Sequence, residues 1–407
     1  MKLTRRSWLH ATTATVALAA TPLRHLRRAR AAAPVKVGVV LPTSGVMAFP
    51  AQSCRRGIDL GALWVREQGG PQLEILHMDS ESKAEMGRVA AEKLIAAGCS
   101  VLIGAFDSGT TISAAQAAEE AKVPLVVNIA AAPQVTEQGL RYVFRNFPKA
   151  PQLIVNAVRR IKELVETTGA QPKTAVLLHV NDTFGKAMSK GVSLVWEKLE
   201  VPIEIVEKIP YDRAAKDLSV EIARAKATGA DLLMPITRVR DAILIVREMV
   251  KQDWNPMGII GPGSPGPYEK AFTDATGKYG DEYMVSAPWY DPTREMTARV
   301  LARFAELHPD RRFELNVGFS FEAVQIVADA VARAGSGDPE AITAALRETH
   351  ITEHIMYGGP IAFDENGQNN NVGGALLQNQ NREPVVVGPK EIAQAEPIFP
   401  MTPWRER

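Results

Sequence analysis

The stretch Val101–Pro133, VLIGAFDSGTTISAAQAAEEAKVPLVVNIAAAP, constrains the fold more than any other. Val101–Gly104 is a short apolar run ending at a glycine, as expected of a strand buried on both faces. Ala105–Thr111 is a turn-rich segment of small hydroxyl residues. Ile112–Ala121 carries apolar residues at helical spacing with Glu119 and Glu120 outward, and Val123–Asn128 is a second strand entered through Pro124. Ala130-Ala131-Ala132 follow. Strand–helix–strand crossovers of this kind are almost always right-handed. Both loops at the strand C-termini carry small residues, which bring backbone N–H groups to the edge where open α/β sheets bind ligands. Ordinary sheet packing explains the same pattern by itself, so the rest of the chain has to decide.

The unit is repeated on both sides. Val35–Leu41, Leu73–Met78, Val101–Gly104 and Val123–Asn128 read as strands, with helices at Arg56–Glu67, Ala84–Ala97 and Ile112–Ala121 between them. Pro42–Ala51 reads as a loop. The order β-α-β-α-β-α-β predicts a doubly wound parallel sheet. After a strand at Tyr142–Asn146 and a crossing at Phe147-Pro148, the pattern restarts. Strands are expected at Thr174–His179, Ile203–Ile209, Leu232–Ile236 and Met257–Gly261, and helices at Gln152–Thr167, Lys186–Leu199, Asp217–Thr228 and Arg240–Lys251. Glu282–Ala287 leads into a second crossing at Pro288–Pro292. Helices at Thr293–Leu307, Asn316–Ala334 and Pro339–Thr349 and short strand-like pieces in the tail complete the chain. Two cored α/β lobes are therefore expected.

The first 33 residues stand apart. Arg5-Arg6 within Thr4–Leu9, a mildly apolar run at Ala11–Leu23 and small residues at Ala29–Ala33 read as an export signal of the twin-arginine type. The run is too short and alanine-rich for a membrane span. This segment holds seven Lys and Arg and no acid. The full chain has 47 bases against 46 acids, so the remainder is acidic by about six charges. Nothing in that balance favours nucleic acid. Two cysteines, Cys54 and Cys99, give no disulfide framework and fall at opposite edges of the expected sheet.

KVGVVLPTSG with Gly57, VLIGAFDSGTT, VPLVVNIAAAPQVT, YVFRNFP, VLLHVNDTFG, DLSVEIARAKATGADLL, GPGSPG and MYGGPIAFDENGQNNNV occur in this order along the chain. The ordered set resembles the type I periplasmic binding proteins of ABC importers, in the leucine/branched-chain amino-acid group, over essentially the whole exported part. The resemblance implies two doubly wound lobes joined by three hinge crossings, with a small-molecule ligand between them. It places the first lobe at residues 34–146 plus 287–372 and the second at 147–286 plus 373–407. It implies a periplasmic, monomeric protein whose partners are ABC permease subunits, with no cofactor, no metal and no catalysis.

Carried over by position, ligand contacts fall on Phe49, Pro50, Ser108, Ala130 and Ala131 in the first lobe and on Phe184, Arg238 and Gly263 in the second. In amino-acid-binding members a serine, a threonine and backbone N–H groups hold the carboxylate, and a glutamate holds the ammonium. Here the threonine position is Ala131, the glutamate position is Gly263 and an aromatic position is Arg238. A buried ammonium without its acid is costly; Asp107 and Asp182 are the substitutes at hand. Arg238 offers a two-pronged fork for a carboxylate or phosphate, and its alternative role is a surface ion pair with Asp241. Phe49, Phe106 and Phe184 offer aromatic walls. The site is thus expected to suit an anion with an apolar or aromatic body.

Other chemistry finds no support. Gly261–Gly266 fits G-x-G-x-x-G, but Pro262, Pro265 and Pro267 remove the N–H donors a pyrophosphate needs. His350 and His354 do not form H-E-x-x-H and read as a surface pair. His179 has no nucleophile beside it. Two rivals remain: a periplasmic sensor on the same fold, and a hydrolase or amidase relative.

Overall fold

The computed structural model describes residues Ala33–Arg407. The expected export signal lies outside the described residues.

The chain opens with β1 (Val35–Leu41), α1 (Ala48–Glu67), β2 (Leu73–Asp79), α2 (Ala84–Ala96), β3 (Val101–Gly104), α3 (Ser108–Ala121), β4 (Leu125–Val127) and β5 (Val143–Arg145). The five strands form one parallel sheet in the order β2-β1-β3-β4-β5. β1, β3 and β4 are buried throughout or nearly so, which is why Val, Leu and Ile dominate them.

The second sheet is built from β6 (Thr174–Val180), β7 (Glu204–Tyr211), β8 (Leu232–Ile236), β9 (Gly258–Pro262), β10 (Met284–Ala287), β13 (Ala375–Gln380) and β14 (Glu383–Gly388). Its order is β14-β13-β10-β9-β8-β6-β7, and only β13 runs against the others, antiparallel to both β10 and β14. Helices α4 (Ala150–Thr168), α5 (Thr183–Lys198), α6 (Ser219–Ala227), α7 (Val239–Lys251) and α8 (Lys270–Thr276) belong to this half. After β10 the chain returns to the first sheet through α9 (Glu295–Leu307), α10 (Leu315–Ala334) and α11 (Pro339–Arg347). α10 packs along α1. Gly57 permits the approach, since a Cβ there would collide with the Val317 carbonyl. α10 is long and apolar enough to cross a membrane, but most of it is buried in this packing. The small pair β11 (His350–Ile351) and β12 (Ile361–Ala362) precedes the return to β13.

The chain thus passes between the sheets three times: after β5, after β10 and before β13. The crossings are hydrogen-bonded to one another. Tyr357 N–H donates to the Trp289 carbonyl at 2.8 Å, Gly373 N–H to Tyr357 at 2.9 Å, and Asn369 N–H to Arg145 at 2.9 Å.

Helix starts differ most from expectation. α1 begins eight residues early, so Phe49 and Pro50 lie in a first helical turn rather than a loop; proline is tolerated there because the first N–H groups have no intrahelical acceptor. α3 and α5 begin directly after Asp107 and Asp182, whose side chains cap them by accepting from Thr110 N–H (3.1 Å) and Gly185 N–H (2.9 Å). The turn segments expected at Ala105–Thr111 and Asn181–Gly185 are therefore mostly first turns. α8, within the Pro/Gly-rich region, had no expected counterpart. Cys54 and Cys99 are both buried and unbridged. His354 is not a surface residue: it is 5% exposed, with Nδ1 3.2 Å from Glu322 Oε1, while His350 is exposed.

Candidate functional site

Strand C-termini and helix N-termini from both sheets converge on one small cavity, about 30 Å³ in volume. From the first half come Phe106, Asp107 and Ser108 at the start of α3, Ile129–Ala131 after β4, and Leu315-Asn316 at the start of α10. From the second come Phe184 in the first turn of α5, Arg238 before α7, Gly263–Pro265 after β9, and Tyr268. Phe147 and Ala287-Pro288 at two of the crossings close the remaining sides. The helix dipoles point their positive ends at this hollow, although α3, α5 and α10 are each already capped by an acid, Asp107, Asp182 and Glu314.

Eight of the ten residues singled out in the sequence meet here: Phe106, Asp107, Ser108, Ala130, Ala131, Phe184, Arg238 and Gly263. Two do not. Phe49, 37% exposed, lines a wider groove beside the cavity together with Ser53, Arg56, Glu269 and Glu314. Pro50 is buried in the first turn of α1 and lines neither. The early start of α1 carries both away from the cavity.

Arg238 is the main charge in the cavity wall. Its Nη1 lies 2.8 Å from Asp182 Oδ2, out of line for a hydrogen bond, and its guanidinium stands 5.0 Å from the centre of the Phe184 ring. Burial opposes its charge, but Asp182, Asp107 and Asp241 outweigh that and hold its pKa above the ordinary value. Burial likewise pushes Asp182 up, and Arg238 with the Gly185 N–H brings it below the ordinary carboxylate value. The ion pair expected with Asp241 is replaced by the one with Asp182. Asp241 instead accepts from the Tyr211 hydroxyl at 3.2 Å, and burial raises its pKa.

The loop after β4 is clamped from behind. Arg145, fully buried, donates to the carbonyls of Ala130 (2.9 Å) and Ala132 (2.7 Å), to Thr136 Oγ1 (2.8 Å) and to Gln368 Oε1 (2.6 Å). Ala131 accepts from Ala150 N–H at 2.7 Å, and Ala132 N–H donates to Ser108 Oγ at 3.2 Å. Phe106 is held at φ 76°, a conformation that costs a non-glycine residue of order 1–3 kcal/mol and clusters at functional sites.

Gly263 is also left-handed, at φ 75°, and a Cβ on it would come within 2.9 Å of Met188 Cε and 3.1 Å of Leu153 Cβ. A side chain there would be strained by the backbone and would have to push Met188 and Leu153 aside. Several buried polar atoms around the cavity lack a hydrogen-bond partner: Asp107 Oδ2, Arg238 Nη1, the Tyr268 hydroxyl and both amide atoms of Asn316. Each such group costs about 1–3 kcal/mol in a filled interior, so their clustering at one hollow marks a place where something binds.

Sequence reasoning missed Tyr268, Leu315 and Asn316. Tyr268 follows a run of prolines and glycines that read only as a turn. Asn316 opens a helix, where an asparagine ordinarily signals a cap.

A family model described as "Periplasmic binding protein" matches residues 34–381, most of the chain. The chain belongs to that family. Among curated relatives of this periplasmic binding protein is Leu/Ile/Val-binding protein homolog 8 of Brucella abortus (strain 2308). It is 26% identical over 382 residues, covering 91% of this chain and 94% of the relative. Among solved structures, the branched-chain amino acid substrate-binding protein LivJ of Streptococcus pneumoniae, in complex with isoleucine, superposes with a TM-score of 0.75 at 18% identity. It covers 90% of this chain and all of that one. A solute-binding protein of R. palustris in complex with benzoate gives 0.74 at 20% identity, covering 87% and 96%. These likenesses establish the type I periplasmic binding protein fold: two α/β lobes and three crossings. The family places the protein outside the cytoplasm.

Proposed function

We propose that this periplasmic binding protein captures a small carboxylate with an apolar or aromatic body and delivers it to ABC permease subunits. The observation that carries the reading is Arg238, ion-paired with Asp182 beside Phe184, its guanidinium in the wall of a cavity whose other wall holds Phe106, Ser108 and the Ala130-Ala131 backbone. A guanidinium matches a carboxylate in charge and shape. The Arg145 clamp and Ala150 occupy the carbonyls of Ala130–Ala132, and Ala132 N–H is taken by Ser108, which leaves the Ala130 and Ala131 N–H groups for an anion. The crowded Gly263 argues against the acid that would hold an ammonium. Relatives of known ligand include an aromatic-acid binder and amino-acid binders, so both chemistries suit this fold.

The lobes are taken as residues 34–146 with 287–372, and 147–286 with 373–407. Ligand contacts from both favour the closed arrangement, and the permease reads that arrangement. The protein acts as a monomer and binds without chemistry, after export through the twin-arginine route. A thermal-shift screen of aliphatic and aromatic carboxylates, dicarboxylates, amino acids and amides tests this, because a ligand of the folded state raises apparent stability by mass action. Stabilisation by carboxylates lacking an amino group is expected. Stabilisation confined to leucine-like amino acids overturns the assignment.

A further inference from the structure

Asn316 and Tyr268 are the features of the cavity that the carboxylate reading leaves unused. Asn316 is fully buried in the first turn of α10, and Tyr268 is 1% exposed just before α8. Both line the cavity. Asn316 lies beside Glu269, yet neither its Oδ1 nor its Nδ2 has an aligned hydrogen-bond partner, and the Tyr268 hydroxyl has none either. Tyr268 packs at a tilt against Trp289, with ring centres 5.1 Å apart, which holds its ring at the cavity. A buried amide offers two donors and two acceptor lone pairs. A buried amide with neither polar atom in an aligned bond, next to an unpartnered phenol, is a binding surface for a group that both gives and accepts hydrogen bonds.

We propose that Asn316 and Tyr268, one on the first-lobe helix α10 and one in the second lobe, form a second recognition pole that takes an uncharged hydroxyl or carboxamide of the ligand, beyond its carboxylate. This deepens the carboxylate reading and rests on it. Two observations favour an uncharged group. Glu269 and Glu314 behind the pole are 2% and 3% exposed, and burial raises the pKa of both. Arg56 faces the pair from α1 and already offsets their charge. A cation at the pole would meet Arg56 as a like charge. Because the two residues sit on different lobes, a ligand bridging them stabilises closure, and one lacking the polar group gains less.

The test is titration calorimetry of the purified protein with matched ligands: benzoate against 3- and 4-hydroxybenzoate and 4-carbamoylbenzoate, and hexanoate against 6-hydroxyhexanoate. At least one polar derivative is expected to bind about tenfold tighter than its parent. Asn316→Leu should remove that advantage while changing the parent's affinity less than about twofold. Tyr268→Phe keeps the packing against Trp289 and carries the same test if the asparagine variant does not fold. Parents that bind as well as every derivative overturn the pole and leave the carboxylate reading intact. An advantage that survives both variants overturns it as well. Preference for 4-aminomethylbenzoate, abolished in Glu269→Gln, replaces it with a cation site. Failure of every carboxylate to bind overturns the carboxylate reading itself, and the pole with it.

Discussion

Arg238 and Asp182 face each other at 2.8 Å from the N-terminal ends of two neighbouring helices of the same lobe. Asp182 caps its own helix with one carboxylate oxygen and meets Arg238 with the other. The arginine is thereby held at the cavity wall in one orientation before any ligand arrives, so less side-chain entropy is lost on binding.

Arg238→Ala should weaken binding of the preferred carboxylate at least tenfold, about 1.4 kcal/mol. It should also lower the melting temperature, because Asp182 loses its buried partner. Calorimetry and a thermal melt read the two effects separately. Unchanged affinity with a lowered melting temperature would make Arg238 a structural residue.

Ser108→Ala removes a hydroxyl that lies at the cavity and accepts from Ala132 N–H. A loss of about 1 kcal/mol or more in ligand binding is expected, measured by titration. A variant that melts lower but binds equally well would confine the hydroxyl to loop packing.

Gly263→Glu introduces an acid where the resemblance to amino-acid-binding proteins implies one, and it should not confer leucine binding. The left-handed backbone and the contacts with Met188 and Leu153 make the substitution destabilising by about 1–3 kcal/mol. Chemical denaturation gives the loss, and a leucine titration of the variant should stay flat.

Glu269 and Glu314 should make stability fall as pH rises. Burial raises the folded-state pKa of both; for Glu269 the nearby Glu314 adds to it, and for Glu314 the Ser53 and Asn316 hydrogen bonds oppose it. Raised carboxyls contribute fully below the ordinary glutamate value and lose that contribution as they ionise above it. Melting temperatures between about pH 5 and 8 should therefore decline, and Glu269→Gln should flatten the slope. A slope unaltered by the substitution would separate the pair from the acid–base behaviour of the fold.

Arg5→Lys with Arg6→Lys should leave the protein in the cytoplasm if export uses the twin-arginine route; fractionation followed by immunoblotting decides it.

Much of this was legible in the chain. β3, β4 and β8 are uninterrupted apolar runs, and β1 is broken only by Lys36, because they are buried on both faces, and runs of that kind are the strongest local signal. The small residues after β3 and β4 marked the cavity because a ligand loop needs close backbone approach. Helix starts were misread at Asp107 and Asp182, where the first turn is rich in glycine, serine and threonine and mimics a loop. The error mattered most at α1, since Phe49 and Pro50 owe their distance from the cavity to it. Asn316 was invisible for another reason. Its role depends on how α10 is set against α1 and on which lobe faces its first turn, and those long-range contacts leave no trace in neighbouring residues.

The three crossings, bonded edge to edge through Trp289, Tyr357, Gly373 and Asn369, behave as one flat strap. A single tether would let the lobes swivel as well as bend. A strap three chains wide resists torsion and shear, and it leaves one soft coordinate, flexure across its width. On the proposed hinge closure, opening and closing would then follow one arc, and the closed lobes would present a single angle to the permease.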